Sequence, residues 1–364
     1  MADPWAGATR VPLERLTTFV AGTLRALGLP APSTIEAATI LLRADLRGVD
    51  SHGVARLPYY ANRIRAGLIN LTAELTTLNE TPSTLALDAN NGFALCLAPE
   101  AMRRCITKAE ATGLCLTTVR HSNHFGIAGA YAMMAPARGL GGIAMTNASP
   151  VVLPTFGAKG MLGTNPMAFA VPTGTGPPLV FDMSTSAVAW GKIEIARRAG
   201  LPIPIGWGTD EAGHPTSDPH AVRWLLPLGG ERETSGHKGY GLGLMIDLFC
   251  GILAGSAWSA RISGSHGPEG PAGIGHTFIA WRIDAFRDPA EFFADLQTML
   301  AELRATPPMP GHADTGVLIP GDPETETEAI NHRLGIPIKT PVLAELRALR
   351  EELGLAWDLD EEER

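Results

Sequence analysis

The chain has 364 residues, of which 45% are hydrophobic and 18% are charged, a composition typical of a folded globular protein. This length is enough for two domains, or for one large domain with an excursion. The formal net charge of −8 argues against nucleic acid as a partner, because phosphate binding needs clustered cations that the sequence lacks.

Nothing in the sequence directs the chain to a membrane or out of the cytoplasm. The N-terminus lacks the basic segment and apolar run of a secretory signal. The most apolar segment, residues 242–254, contains an acidic residue and is shorter than the ~20 residues that span a bilayer. The four cysteines (Cys96, Cys105, Cys115 and Cys250) show no C-x-x-C spacing, which argues against a zinc site or a disulfide scaffold. We therefore expect a soluble cytoplasmic protein without a metal.

Helical periodicity predicts three helices in the first part of the chain. Apolar residues recur at helical spacing over residues 13–27. Ser33 and Glu36 form a capping-box signature, which predicts a second helix that runs to about Arg47. A third helix is predicted over residues 58–67, because proline is favoured in a first helical turn and glycine just beyond a last one.

Strand and helix patterns alternate in the next part: strand 83–88, helix 99–111, strand 114–119, helix 127–137 and strand 142–147. Taken alone, this β-α-β order predicts a doubly wound parallel sheet. Residues 149–218 differ, because they are rich in proline and glycine with short apolar runs, which indicates antiparallel strands. The later predicted elements are strands 167–171 and 179–181, a buried helix over 238–254, a strand over 276–283, and helices over 289–304 and 342–353.

The turn between the second and third helices, residues 47–56, carries a dense group of reactive side chains. They are Arg47, Asp50, Ser51, His52 and Arg56. An imidazole exchanges a proton near neutral pH, and a guanidinium holds a carboxylate through two parallel hydrogen bonds. We therefore hypothesise that this turn binds and deprotonates a small organic acid. The alternative is an ordinary polar turn between helices.

A second polar loop, residues 120–126, follows a predicted strand and precedes a predicted helix. Such a loop lies at the carboxyl end of a sheet, where ligands commonly bind in α/β proteins. His124, beside Phe125 and Gly126, has the surroundings of a general base, whereas His121 is more simply a structural histidine. The two histidines are close enough in sequence to share a metal, but no third ligand is recognisable, so we expect none.

Three further segments carry groups that suit a ligand. The glycine-rich segment 156–166 either lets backbone amides approach a ligand or forms an assembly of β-turns. Asp182 ends a predicted strand and either serves the ligand or caps the next helix. Lys238 starts a predicted helix and is a candidate phosphate partner, although the glycines that follow it do not form the G-x-G-x-x-G motif.

Taken together and in this order, these segments resemble one family, the type 2 malate/L-lactate dehydrogenases, which includes ureidoglycolate, sulfolactate and cyclic-ketimine (piperideine/pyrroline-2-carboxylate) oxidoreductases. The resemblance covers about residues 10–340. The matching segments are residues 45–53, Arg56 with Tyr60, and residues 121–126, 163–166, 181–183, 189–192 and 238–241. One departure is at residues 93–96, where many relatives have a small Gly-Gln step and this chain has Phe-Ala-Leu-Cys. It predicts a bulkier, more apolar lining near the active site.

The resemblance implies a mixed α/β fold whose nicotinamide-binding domain is not Rossmann-like and has a largely antiparallel sheet. On this point it overrules the parallel sheet that the β-α-β order predicts. It implies a mainly helical substrate and dimerisation region over residues 1–82 and 289–364, and an α/β region with the cofactor-binding domain over residues 83–288. It also implies a homodimer with the active site near the subunit interface.

The resemblance further implies an oxidoreductase that transfers a hydride between a nicotinamide cofactor, NAD or NADP, and a small 2-hydroxy acid of the malate or lactate type. The catalytic residues it implies are His124 as proton acceptor, His52 as the other candidate, and Asp182, which orients the histidine or contacts the cofactor. The implied substrate-binding residues are Ser51, Arg56, Tyr60 and Thr164. The implied cofactor-binding residues are Asn147, Ala148, Ser149, Asp182, Met183, Ser184 and Lys238.

Other functions stay open at this point. The same scaffold serves reduction of a cyclic imino acid and oxidation of ureidoglycolate or sulfolactate. A non-catalytic binding protein is a third possibility, but such a protein has no need for a poised imidazole. A hydrolase that uses Ser51 and His52 is disfavoured, because adjacent residues rarely point at each other and no G-x-S-x-G elbow surrounds the serine. Without a Rossmann strand, the usual test of NAD against NADP has no site to apply to.

Overall fold

The computed structural model describes residues 5, 7–264, 269–355 and 359. The α-helices in these residues are α1 (Leu13–Ala26), α2 (Ala31–Leu46), α3 (Leu57–Arg65), α4 (Ala94–Thr112), α5 (Gly129–Ala132), α6 (Trp190–Ala199), α7 (Gly236–Asp247), α8 (Pro289–Arg304), α9 (Asp322–Leu334) and α10 (Thr340–Glu352). The strands are β1 (Thr9–Val11), β2 (Thr76–Glu80), β3 (Thr84–Asp88), β4 (Leu114–Ser122), β5 (Leu140–Thr146), β6 (Met167–Val171), β7 (Leu179–Met183), β8 (Gly208–Thr209), β9 (Trp224–Leu225), β10 (Ile274–Arg282) and β11 (Ile336–Ile338). Short 3-10 turns occupy Asp50–His52 and Val54–Arg56, and a π-helical turn, Leu248–Leu253, follows α7.

A seven-stranded sheet in the order β2-β3-β4-β10-β5-β6-β7 forms the centre of the α/β part. Of its neighbouring pairs, β3 and β4 are parallel and the other five are antiparallel. Strands β3, β4 and β5 do run in the same direction, as the β-α-β order predicts. Strand β10, however, lies between β4 and β5 and pairs antiparallel with both. The doubly wound parallel sheet is therefore wrong, and the mixed fold with a largely antiparallel sheet is confirmed.

Helix α4 covers one face of this sheet. Its buried residues include Met102, Cys105 and Ala109, which recur at helical spacing and belong to the same core as Phe278 of β10. Gly113 ends the helix in the left-handed conformation, at φ 90°, which glycine adopts without strain. Strand β4 then includes the first three residues of the second polar loop, residues 120–126, and leads directly into the rest of it.

A second core joins helices from the two ends of the chain. Leu16 and Phe19 of α1, Leu41 of α2 and Leu346 of α10 are fully buried in it, and β1 pairs with β11. Strand β2 lies in the range predicted as helical, yet it pairs with β3 of the main sheet. The division into 1–82 with 289–364 against 83–288 stays a prediction. The parts of those ranges that lie outside the described residues are 1–4, 6, 265–268, 356–358 and 360–364.

Three predicted helices differ in detail. Helix α2 begins directly after Pro30, so Ser33 lies in its first turn and the predicted cap at Ser33 is wrong. The helix predicted over 127–137 is reduced to α5 and a 3-10 turn that begins at Pro136, a residue without a backbone donor. The predicted burial of helix 238–254 is wrong, because α7 and its π-helical turn expose an apolar face. No described helix combines the length and the apolar character that crossing a bilayer requires.

Candidate active site

A cavity of about 620 Å³ is lined by the turn after α2, the loop after β4, the end of β7 and the segment before α9. The predicted site residues in its wall are Ser51, His52, Arg56, His124, Ala148, Ser149, Thr164, Asp182, Met183 and Ser184. We refer to Ser51, His52, Arg56 and His124 as the turn wall, and to the other six as the β7 wall. Residues from distant segments therefore share one cavity, as the resemblance implies.

The buried carboxyl group of Asp45 fixes the conformation of the turn after α2. Gly48, at φ 77°, ends the helix in the left-handed conformation. The two 3-10 turns that follow carry three residues of the turn wall. Asp45 Oδ2 accepts a hydrogen bond from the backbone N–H of Val54 at 2.7 Å. Glycine is required at position 53, because a Cβ of Gly53 would lie 2.1 Å from the Asp45 carboxyl group.

Arg56 presents an open guanidinium to the cavity. Its Nε donates to the backbone carbonyl of Ser51 at 2.8 Å, which fixes the plane of the group. Among the residues that the structure describes, none accepts a hydrogen bond from its two terminal nitrogens, so both can bind a carboxylate. The other guanidinium in the wall, Arg47, is 7% exposed and pairs with Glu328 at 2.9 Å. Of the two guanidinium groups in the described wall, that of Arg56 is therefore the one free to pair with an anion.

The rings of His52 and His124 stack in the turn wall with their centroids 5.6 Å apart. The Nδ1 atom of each ring forms a hydrogen bond with a hydroxyl group. Ser51 Oγ lies 2.9 Å from His52 Nδ1, and Tyr60 Oη lies 2.7 Å from His124 Nδ1. The expectation that the side chains of adjacent Ser51 and His52 do not point at each other is thus wrong. Within the described part of the chain, neither Nε2 has a hydrogen-bond partner, so both are available to a ligand.

Burial keeps both imidazoles neutral at neutral pH. Desolvation, followed by the charge of Arg56, lowers the pKa of His52 to about 4. Desolvation also holds the pKa of His124 well below its usual value, with further contributions from His52, Arg56 and His276. A neutral imidazole has a lone pair that can accept a proton. Either ring is therefore a candidate base.

Tyr60 lies behind His124 and is not among the described residues that line the cavity. Its side chain is 1% exposed and packs edge-on against Phe93 at a centroid distance of 5.4 Å. Its hydroxyl meets the imidazole, so its predicted contact with the substrate stays a prediction. Phe93 is itself buried behind Tyr60, and none of residues 93–96 lines the cavity. The bulkier lining predicted from this segment is wrong.

A third histidine supports the loop that carries His124. His276 of β10 is fully buried, and its two ring nitrogens lie 2.8 Å from the hydroxyls of Thr146 and Ser122. Its ring stacks on Phe125 at a centroid distance of 4.6 Å. Burial lowers its pKa to about 3. Sequence reasoning missed this residue, because a single histidine inside a strand pattern gives no indication of its partners.

Asp182 brings a carboxyl group to the β7 wall. Its Oδ2 accepts a hydrogen bond from the backbone N–H of Gly129 at 2.8 Å, so it bonds the first residue of α5 and not the helix that follows it in sequence. Although its side chain is exposed towards the cavity, desolvation raises its pKa to about 6. The Gly129 bond and Arg47 oppose this rise, and Glu324 adds to it.

Two predicted cofactor residues do not line the cavity. Asn147 is 1% exposed, and its amide donates to Asp247 and to the Ala257 carbonyl and accepts from the Gly275 N–H, each at 2.9 Å. These hydrogen bonds fix the position of Ala148 and Ser149, which follow Asn147 and belong to the β7 wall. Lys238 is exposed in the first turn of α7. For both residues, contact with a cofactor stays a prediction.

His121 takes part in an ion-pair group apart from the cavity. Its Nδ1 lies 3.1 Å from Asp88 Oδ2, and Arg120 Nε donates to the same oxygen at 2.7 Å. The structure therefore separates His121 from His124, whose Nδ1 meets Tyr60. No group of three or more His, Cys, Asp or Glu side chains in the described residues has the arrangement of a metal site.

Helix α9 and the segment before it were not predicted, yet they complete the cavity wall with residues 318–321, Pro323 and Glu324. Gly321, at φ 94°, packs so tightly on β7 that a Cβ would lie 2.6 Å from the Val180 carbonyl oxygen. This contact brings Glu324 to the β7 wall. Because α9 has few apolar residues, it lacks the periodicity that would have revealed it.

A family model described as malate/L-lactate dehydrogenase matches residues 11–347. The chain is 41% identical over 350 residues to a malate dehydrogenase of Pyrococcus abyssi, which covers 95% of both chains. It is 34% identical over 354 residues to an L-sulfolactate dehydrogenase of Methanothermobacter thermautotrophicus, which covers 97% of this chain and 99% of the relative. It is 33% identical over 303 residues to a ureidoglycolate dehydrogenase (NAD(+)) of Escherichia coli, which covers 83% of this chain and 85% of the relative.

Solved structures show the same likeness. The structure of malate dehydrogenase from Pyrococcus horikoshii OT3 superposes with a TM-score of 0.89 at 35% identity, covering 98% of both chains. That of delta1-piperideine-2-carboxylate reductase from Pseudomonas syringae pvar. tomato superposes with a TM-score of 0.81 at 28% identity, covering 94% of this chain and 99% of the other. In both cases the similarity extends over nearly the whole chain.

Proposed function

The chain belongs to the malate/L-lactate dehydrogenase family and is an oxidoreductase, and we propose that its cavity of about 620 Å³ is where a hydride passes between C2 of a small 2-hydroxy acid and a nicotinamide cofactor. One observation carries this proposal. The open guanidinium of Arg56 and the neutral imidazoles of His52 and His124 line the same cavity as the β7 wall.

The β7 wall has groups that suit a nicotinamide cofactor. It presents hydroxyls of Ser149, Thr164 and Ser184 and the carboxyl group of Asp182, whose Oδ1 has no hydrogen-bond partner among the described residues. A carboxamide and a ribose carry N–H and O–H donors, which these acceptors match. Of the β7 wall, Ala148, Ser149, Asp182, Met183 and Ser184 would hold NAD or NADP, which when bound accepts the hydride in oxidation and supplies it in reduction. Thr164 keeps the substrate contact that the resemblance implies.

Arg56 would anchor the carboxylate of the substrate. Its terminal nitrogens form the fork that binds a carboxylate through two hydrogen bonds and fixes the direction of C2. With Arg56 paired, its charge no longer opposes protonation of His52 and His124. Substrate binding would therefore remove one of the causes, smaller than desolvation, that hold the pKa of both imidazoles low.

We assign proton transfer to Nε2 of His124. In oxidation this nitrogen would accept the proton of the substrate hydroxyl, and in reduction it would return the proton to the carbonyl oxygen. The Tyr60 hydroxyl at Nδ1 can donate or accept, so it supports the ring in either tautomer. His52 is supported by Ser51 on the half-buried turn, whereas the partner of His124 is buried, which favours His124 as the base.

The charges of the cavity favour a substrate with one anionic group. Arg47 already pairs with Glu328, both imidazoles are neutral, and Asp182 and Glu324 face the cavity. A second carboxylate or sulfonate would therefore lack a cationic partner in the described wall. We propose a lactate-type acid ahead of a malate-type acid. The likeness to a piperideine-2-carboxylate reductase favours a cyclic imino acid with one carboxylate as the second candidate.

A substrate panel tests these proposals. Oxidation of NADH and NADPH is measured with pyruvate, oxaloacetate, sulfopyruvate and piperideine-2-carboxylate. We expect the highest kcat/KM with a substrate that carries one carboxylate. A preference for oxaloacetate or sulfopyruvate would show that a second cation comes from outside the described wall and would overturn the proposed charge preference. No turnover with any of the four would contradict the proposed reaction.

We also propose a homodimer with α7 in the interface. Met245 of α7 and Leu248 and Ile252 of the π-helical turn that follows are 36%, 49% and 52% exposed, so this segment presents an exposed apolar face. An exposed apolar face of this kind marks a protein contact, and the resemblance implies a second copy. Light scattering should show a dimer, and Leu248→Glu should weaken it. A monomeric native protein would contradict the proposal. The cytoplasmic location stays a prediction.

A further inference from the structure

The carboxyl group of Asp45 has no part in the proposed chemistry, yet it is buried directly against the turn wall. Asp45 lies in the last turn of α2 and is 5% exposed. The Val54 N–H is the one hydrogen-bond donor to this carboxyl group among the described residues. Gly53 packs against it so closely that any side chain there would overlap the carboxyl group. The turn is therefore shaped around this group.

A short series of contacts connects Asp45 to the proposed substrate anchor. Val54 begins the 3-10 turn that ends at Arg56. Arg56 Nε in turn donates to the Ser51 carbonyl, which lies in the preceding 3-10 turn. A shift of Val54 would therefore move the anchor and its support together.

We propose that Asp45 is a positioning residue whose carboxyl group, in its protonated form, holds the turn so that Arg56 can anchor the carboxylate of the substrate. This inference rests on the role proposed for Arg56. Its physical basis is that burying a carboxylate with one hydrogen bond and no cationic partner costs much more free energy than burying the neutral, protonated carboxyl group. Asp45 has no ion pair among the described residues.

The surrounding charges agree with a protonated Asp45. Desolvation raises its pKa to about 8, Asp50 adds to the rise, and the Val54 hydrogen bond opposes it. His52 on the same turn is neutral in this range, because its pKa is about 4. Asn331 of α9 donates to the backbone carbonyls of Asp45 and Leu46 and not to the Asp45 carboxyl group. Several charged groups on the packed elements have other partners, in the pairs Asp50–Lys339, Arg43–Glu328, Arg47–Glu328, Glu36–Arg103 and Glu100–Arg104. Arg56, on the second 3-10 turn, is bonded through Nε to the Ser51 carbonyl and not to the Asp45 carboxyl group.

Ionisation of Asp45 should loosen the anchor. Above about pH 8 the new charge would draw in water or shift the turn, because a single N–H does not replace the lost solvation. Affinity for the acid should then fall, while affinity for the cofactor, whose proposed contacts lie in the β7 wall, should stay constant.

The test measures binding of oxamate, an unreactive 2-oxo acid analogue, to the full-length protein with NADH from about pH 6 to about pH 10. We expect wild-type affinity to fall by about ten-fold above pH 8. Asp45→Ala should bind weakly at every pH, and Asp45→Asn, which keeps a neutral acceptor for Val54, should rescue binding and remove the alkaline loss. Asp50→Asn should move the loss to lower pH, because Asp50 raises the pKa of Asp45.

The outcomes separate this inference from the proposed function. The same alkaline loss in wild type and Asp45→Asn, or no alkaline loss in wild type, would overturn the inference. If Asp45→Ala does not fold, the comparison of wild type with Asp45→Asn and Asp50→Asn still tests the inference. Failure of the wild-type protein to bind oxamate at any pH would instead overturn the role proposed for Arg56.

Discussion

The turn wall and the β7 wall show the same physical effect with opposite chemical results. In the turn wall, desolvation lowers the pKa of His52 and His124 and leaves two neutral bases. In the β7 wall, desolvation raises the pKa of Asp182 to about 6 and leaves an acid that titrates just below neutral pH. Desolvation thus favours the neutral form of the titratable groups in both walls. The open cation for an anionic ligand in the described walls is Arg56.

The two walls also differ in how they are supported. Buried side chains support the turn wall. Asp45 accepts a hydrogen bond from the Val54 N–H of the turn, Tyr60 forms a hydrogen bond with His124, and the His276 ring stacks on Phe125. The β7 wall is more open: Asp182 is exposed to the cavity and accepts one hydrogen bond, from the Gly129 N–H, and the buried side chain of Asn147 supports only the two residues that follow it. We therefore expect substitutions in the turn wall to change turnover and acid binding strongly. Substitutions in the β7 wall should change cofactor binding modestly.

The largest effect is expected from His124→Ala. Loss of the proposed base should lower kcat by roughly 10²–10⁴-fold, while the Kd for NADH changes little because the cofactor groups lie in the β7 wall. Stopped-flow turnover and fluorescence titration measure the two quantities. The matched control is His52→Ala, which should raise the KM for the acid more than it lowers kcat. A larger loss of kcat in His52→Ala than in His124→Ala would indicate that His52, and not His124, is the base.

Arg56→Lys is expected to act next most strongly, on the KM for the acid. An ammonium retains the charge but not the fork, and a lost hydrogen bond to a charged group is worth about 1.5–3 kcal/mol, which corresponds to roughly 10–150-fold. Steady-state kinetics at fixed cofactor measures it, with Arg47→Lys as the control for a guanidinium already paired in the wall. An unchanged KM for the acid would indicate that Arg56 is structural.

Tyr60→Phe should lower kcat by up to about ten-fold, because the buried Nδ1 of His124 loses its partner. The pH dependence of kcat should shift as well, since the hydroxyl influences protonation of the ring. Tyr59→Phe is the control, because Tyr59 lines the cavity and its hydroxyl has no hydrogen bond among the described residues. A higher KM for the acid with kcat retained would show instead that Tyr60 contacts the substrate.

The turn wall was predictable because its chemistry is concentrated in two short segments. Ser51, His52 and Arg56 lie within six residues of one another, and His124 follows a recognisable strand. Both segments connect helices or strands whose periodicity predicts them. Local patterns also predicted the common direction of β3, β4 and β5. They could not predict that β10 enters between β4 and β5, because that pairing joins segments distant in sequence.

The support of the site was less predictable than the site itself. Glu324 reaches the β7 wall because Gly321 packs against Val180, a contact that no local pattern reveals. His276 and Asp45 act through hydrogen bonds and stacking with segments far from the elements that carry them. The position of Lys238 away from the cavity also follows from tertiary packing of α7. Residue type and spacing identify reactive groups, but the contacts that hold them require the fold.

The smallest effect is expected from Asp182→Asn, which tests the β7 wall. The Asp182 carboxyl group ionises as pH rises through about 6. Its negative charge then attracts the cationic oxidised nicotinamide more than the neutral reduced form. The ratio of the Kd for oxidised cofactor to that for reduced cofactor should therefore fall with rising pH in wild type and stay constant in Asp182→Asn. Because the side chain is exposed to the cavity, solvent screening limits the change to about five-fold.

Glu324→Gln is the matched control: it removes a charge that raises the pKa of Asp182, so the midpoint should move to lower pH. A constant ratio in wild type would mean that Asp182 does not face the nicotinamide, and the β7 wall would lose its proposed role.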